Sequence, residues 1–184
     1  MARISQVVVL AEDERHQRLI YRYLQRLNYS LRDIRFEPLP SGRGCGEQWV
    51  RERYANSVRA YRARSAHANT ALIVAIDADT GNLFRRMRQL ENSLSGGELP
   101  PRSTEERIVH LIPRRNIETW ILNLNGSPVD EETDFRHAPG IDGQVVTAAL
   151  ALYLWARPGA VIPQHSVPSL RRAIPEIRRL ELAQ

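Results

Sequence analysis

"TALIVAIDADTGN", residues 70–82, decides the fold. Its opening residues are apolar or β-branched with little interruption, the pattern of a short strand covered on both faces. The run ends in Asp77 and Asp79, separated only by Ala78. On extended backbone the two carboxylates project to the same side. Like charges that close repel unless something positive lies between them. A divalent cation bound by hard oxygen ligands meets that need. The plain alternative is a strand end in which Asp77 caps the next turn and Asp79 is solvated.

Outward from this strand the chain alternates strand with helix. "QVVVLA" (6–11) is another short, β-branched run, and "EDERHQRLIYRYLQRL" (12–27) places Leu19, Ile20, Tyr23, Leu24 and Leu27 on one helical face. "YSLRDIRFEPL" (29–39) alternates like a strand, with Leu31, Ile34 and Phe36 facing inward. The Gly-rich "PSGRGCGE" (40–47) opens a long arginine-rich helix over 47–66, and a further helix is predicted over 82–94. "SGGELPPRSTEE" (95–106) is a loop. "RIVHLIP" (107–113) is the fourth strand and "RRNIETWILNL" (114–124) the helix after it. Residues 125–143 read as polar and irregular, while 144–156 are apolar all round and predict a buried helix. A last helix spans 167–182, bent or restarted at Pro175.

This alternation predicts an α/β fold with an open, mainly parallel four-stranded sheet flanked by helices. Residues 1–125 form that core, and 126–184 a helical C-terminal extension packed on it. Such sheets place their sites beyond the carboxyl ends of the strands. The rule brings Glu12, Asp77, Asp79 and Glu118 to one edge. Nearby, Asp13 reads as a helix cap and Glu14 as solvated. His110 reads as a satisfied core residue, and Trp120 as an anchor between helix and sheet.

The chain has 184 residues, enough for one well-cored domain. No apolar run approaches the roughly 20 residues of a membrane span. "MARISQVVVLAEDE" lacks the pattern of a signal peptide, so a cytoplasmic protein without membrane contact is expected. Cys45 is the single cysteine, which excludes an intrachain disulfide and a multi-cysteine zinc cluster. All 26 basic residues are arginine and the formal charge is +5. Without lysine there is no Schiff base, no P-loop lysine and no lysine general base.

A pI near 10 fits a polyanionic partner. Arg59 and Arg62, with Arg51, Arg53 and Arg64, could follow a nucleic-acid backbone along the long helix, although a solvated face fits them equally. Arg43 lies in the Gly-rich loop, whose amides could cradle phosphate at a helix start. Arg114 and Arg115 follow the fourth strand.

Three motifs in order, "VVVLAED", "IDAD" and "IPRRNIETW", resemble Toprim domains over about residues 6–125. The likeness is to the small single-domain proteins related to overcoming-lysogenization-defect nucleases. The resemblance implies phosphodiester cleavage in DNA or RNA with Mg²⁺ or Mn²⁺. Glu12, Asp77 and Asp79 would hold a first ion and Glu118 would help hold a second, all four being catalytic. It also implies work beside an ATPase partner in anti-phage defence, with a homo-oligomer left open. Where that family often carries another ligand, this chain has His16 and Gln17. Where related nucleases use a lysine, Arg114 or Arg115 could stabilise charge but not act as a base.

Two other readings exist. A non-catalytic nucleic-acid-binding or adaptor subunit would keep a degenerate site. A receiver-like signalling domain would use Glu12 and Asp13 as its acidic pair and Asp77 as phosphoacceptor. The long gap from Asp13 to Asp77 and the lack of lysine weigh against the receiver.

Overall fold

The computed structural model describes residues 4–40, 46–79 and 82–181. Four strands, β1 (Gln6–Ala11), β2 (Ile34–Phe36), β3 (Thr70–Ala75) and β4 (Ile108–Leu111), form one sheet in the order β2-β1-β3-β4. Every pairing is parallel, with Val7 opposite Ile34, Val9 opposite Ile73 and Ile73 opposite Val109. The chain is an α/β protein of the predicted class.

Strand side chains alternate between two cores, as the pleat requires. Val7, Val9, Ile73 and Val109 face one core, packed under α1 (Glu14–Arg26), α4 (Ile117–Leu124), α5 (Ile141–Ala156) and α6 (Pro168–Arg178). Val8, Leu10, Leu72 and Ile108 face the other, under α2 (Gly46–Ser65) and α3 (Leu83–Gly96). The C-terminal helices therefore complete the first core rather than merely covering it. No helix among the described residues is long and apolar enough to cross a membrane.

Local chemistry sets the element boundaries. Asp13 caps α1, accepting from the His16 amide, as expected. Asn82 and Asn116 cap α3 and α4, so these helices begin at 83 and 117 rather than at 82 and 114. The expected strand over 29–39 shrinks to residues 34–36, because Asp33 accepts from both the amide and the hydroxyl of Ser30 and closes a 3₁₀ turn. Leu31, expected inside, is 63% exposed on that turn. The helix expected over 144–156 begins at 141 and is not buried all round: Val146, Leu150 and Leu154 lie on an exposed face. Pro175 does not restart the last helix, which runs through it to Arg178.

Candidate functional site

Strands β1, β3 and β4 end in register, Ala11 opposite Ala75 and Ala75 opposite Leu111, and backbone bonds continue past them. The amide of Glu12 donates to the carbonyl of Ala75 (3.0 Å), Ile76 to Leu111 (3.1 Å), and Ala78 to Pro113 (2.8 Å). This extension holds the acidic turns side by side. Glu12, Asp77 and Asp79 line one open cleft of about 420 Å³, together with Asp13, Glu47 and Arg136.

Within the cleft the Asp77 amide donates to Glu12 Oε2 at 2.9 Å. The Asp77 carboxylate, only 2% exposed, meets His16 Nε2 through Oδ1 at 3.1 Å. His16 Nδ1 lies 2.9 Å from Asp13 Oδ1, so the buried ring spans two carboxylates. Burial opposes its charge, but Asp77 and Asp13 outweigh that effect and raise its pKa well above the ordinary value. Burial also raises the pKa of Glu12 and of Asp77, only partly offset by His16. Asp13 moves the other way, because the His16 charge and hydrogen bonds overcome its desolvation.

Asp79 is held from the opposite direction. Arg136 pairs with Oδ1, while Arg86 lies 3.6 Å from Oδ2. Arg86 also pairs with Glu47 and donates to the Asp77 carbonyl at 2.9 Å. The Asp79 backbone is left-handed at φ 54°, a conformation that Asp tolerates better than most residues. A Cβ on Gly46 would stand 2.4 Å from the Glu12 carbonyl oxygen, so glycine lets the start of α2 press against the cleft.

Glu118 stands apart. It is 3% exposed, paired with Arg15, and is not part of the cleft lining. Arg114 and Arg115 pair with Glu132 and Asp134 on the following loop. Arg59 donates to the Gly97 carbonyl, and Arg62 pairs with Glu106 and donates to the Pro100 carbonyl. Those contacts place Arg59 and Arg62 toward the amino edge of the sheet, away from the acids. Arg43 and Cys45, in the Gly-rich loop whose amides could cradle phosphate, lie outside the described residues. Glu14 is exposed, and Trp120 is fully buried with its indole donating to Ser169 at 2.7 Å, both as expected.

Sequence reasoning missed Arg136, Arg86 and Arg15, the arginines that balance the acids. Arg136 lies 57 residues beyond Asp79, inside a stretch read only as irregular, so no local pattern points to it.

The donors suit a hard cation in kind, since Glu12, Asp77 and Asp79 offer carboxylate oxygens in one open cleft. No three Asp, Glu, His or Cys side chains among the described residues already form a ligand set. His16 and Arg136 hold Asp77 and Asp79 instead. A cation could displace Arg136, whose side chain is 45% exposed, far more readily than fully buried His16. Comparison with protein-family models, curated proteins and solved structures returns no significant match to this chain.

Proposed function

We propose that the cleft hydrolyses phosphodiester bonds in DNA or RNA with Mg²⁺ or Mn²⁺. The supporting observation is the gathering of Glu12, Asp77 and Asp79 in one open cleft, where burial raises the proton affinity of Glu12 and Asp77. Acids that retain protons this firmly also gain from a cation that replaces them. Glu12, Asp77 and Asp79 would hold the ion, Asp79 after giving up Arg136. When bound, the ion supplies Lewis-acid charge to the phosphate and activates water for attack.

The chain's own groups do the rest. His16 fixes the orientation of Asp77 through Oδ1. Arg136, released from Asp79, offers a planar fork to a phosphate oxygen at the cleft mouth. Glu118 anchors Arg15 next to His16 rather than holding a second ion. An ATPase partner in anti-phage defence, which the Toprim resemblance implies, belongs to the same proposal; without lysine this chain would not supply a conventional P-loop itself.

The test is cleavage of labelled single-stranded and duplex DNA and RNA with Mn²⁺. Asp77→Asn is expected to slow cleavage about a hundredfold or more while affinity changes little. Cleavage by this variant at the wild-type rate would sink the reading. A second reading, the non-catalytic nucleic-acid-binding or adaptor subunit, is favoured by one observation: His16, Arg136 and Arg15 already balance Asp77, Asp79 and Glu118. Binding by the wild type without cleavage of any of these substrates would select it.

A further inference from the structure

Beside the acid cleft lies a groove of about 450 Å³ between the first turns of α3 and α6. That volume falls in the range of ligand sites, roughly 300–1,000 Å³. Its walls include Leu83, Phe84, Arg114, Ser169 and Arg172. Phe84 is 63% exposed. A singly exposed apolar side chain is ordinary, but this ring is not left to solvent alone. The Arg172 guanidinium lies 5.2 Å from its centroid, within cation–π range. Arg172 also donates to Met87 Sδ at 3.3 Å, which fixes it over the ring. Arg114, on the rim, shares its charge with exposed Glu132. The buried acid in the groove, Glu131, accepts from the Ser169 amide at 2.9 Å.

The groove continues toward the acids. Asn82 lines both it and a polar depression containing Arg51, Arg85 and Arg86. That depression shares Glu47 and Asp79 with the acid cleft. An exposed aromatic ring with Arg172 stacked over it and Arg114 on the rim, joined to a polar track, has the chemistry of a single-strand site.

We infer that the Phe84–Arg172 groove binds an unpaired nucleobase of single-stranded nucleic acid, with Arg172 and Arg114 taking the adjoining phosphate. A base in a duplex is already stacked on both faces and cannot reach the ring. The inference deepens the nuclease reading by naming its substrate form, and it rests on that reading only for the link to the cleft.

Binding and cleavage are measured separately. Fluorescence anisotropy with labelled oligothymidine and oligouridine in EDTA reads binding without turnover. Phe84→Ala is expected to weaken binding about tenfold, Phe84→Trp to restore it, and Phe84→Leu to leave it weak, since leucine has no π face. Arg172→Gln should weaken binding and lower the slope of log affinity against log salt by roughly one. An oligonucleotide with abasic positions should lose its dependence on Phe84. Affinities of Phe84→Ala and Arg172→Gln within about twofold of wild type would overturn the inference. Full rescue by leucine, or the same Phe84 dependence on blunt duplex, would overturn it too. If Asp77→Asn stops cleavage while Phe84→Ala binds normally, the groove fails and the nuclease reading stands. Phe84-dependent binding by a wild type that never cleaves upholds the groove and removes the nuclease reading.

Discussion

His16 and His110 are both buried, at 0% and 9% exposed, yet their surroundings favour opposite charge states. His16 lies between two carboxylates, whereas His110 sits in β4 with Nε2 2.9 Å from the Tyr54 hydroxyl. Burial, followed by the charge of Arg102, pushes the His110 pKa down to about 3. The unfolded chain binds this proton near pH 6.5, and the folded chain does not until about pH 3. Unfolding therefore takes up a proton within that window, and stability falls as pH drops through it. His110 alone should contribute a slope of up to about 1.4 kcal/mol per pH unit. Urea denaturation between pH 5 and 6.5 measures it, with His110→Gln expected to remove that contribution. The comparison isolates His110 from Glu12 and Asp77, whose raised pKa values slope stability the other way. Identical slopes would mean that His110 binds its proton equally in the folded and unfolded chain. The core role of His110 was legible from its place in an apolar run; its neutral state was not, because the burial and the Arg102 charge that enforce it come from tertiary packing.

Among the elements, β1 and β3 were legible almost to the residue, because buried parallel strands read as continuous β-branched runs. Helix α5 was legible in type but not in orientation. A segment apolar on every side has no periodicity with which to mark its inner face. Its inner residues, Val145, Ala148, Ala149 and Leu152, join the core, while Val146, Leu150 and Leu154 stay 43%, 38% and 47% exposed. Two neighbouring leucines should consequently behave differently. Leu152→Ala is expected to cost about 2–5 kcal/mol through the cavity it leaves. Leu150→Ser should stay within roughly 0.5 kcal/mol of wild type. Denaturation midpoints of the two variants check this, and comparable losses would mean that the outer face is covered in solution. The edge strand β2 was overestimated for a different reason: the Ser30–Asp33 bonds compete with extended backbone, and a pattern count does not weigh that competition.

Across the whole molecule, many arginines serve as internal fasteners. Arg62 on Glu106, Arg102 on Glu176, and Arg179 on the carbonyls of Ser103 and Thr104 stitch the long loop to the helices. Net charge could not reveal that use, so the basic composition overstated what was available to a ligand. The acids of the cleft were legible because topology alone gathers strand ends at one edge. Their partners were not, because Arg136 reaches Asp79 through tertiary packing. This pairing makes a prediction about stability. A cation that binds only the folded state adds about 2.7 kcal/mol at a hundred times its dissociation constant. For a chain of this size that corresponds to roughly 5–11 °C in melting temperature. If the proposed site holds the ion, Asp77→Asn should shrink the Mg²⁺- or Mn²⁺-induced rise. Arg136→Gln removes the competitor for Asp79 and should enlarge it at subsaturating metal, even though the variant starts from a changed baseline. Thermal denaturation across a metal titration, with NaCl matched for ionic strength, reads both effects. Opposite changes in the two variants would locate the ion between Asp77 and Asp79, and equal shifts in all three proteins would place it elsewhere.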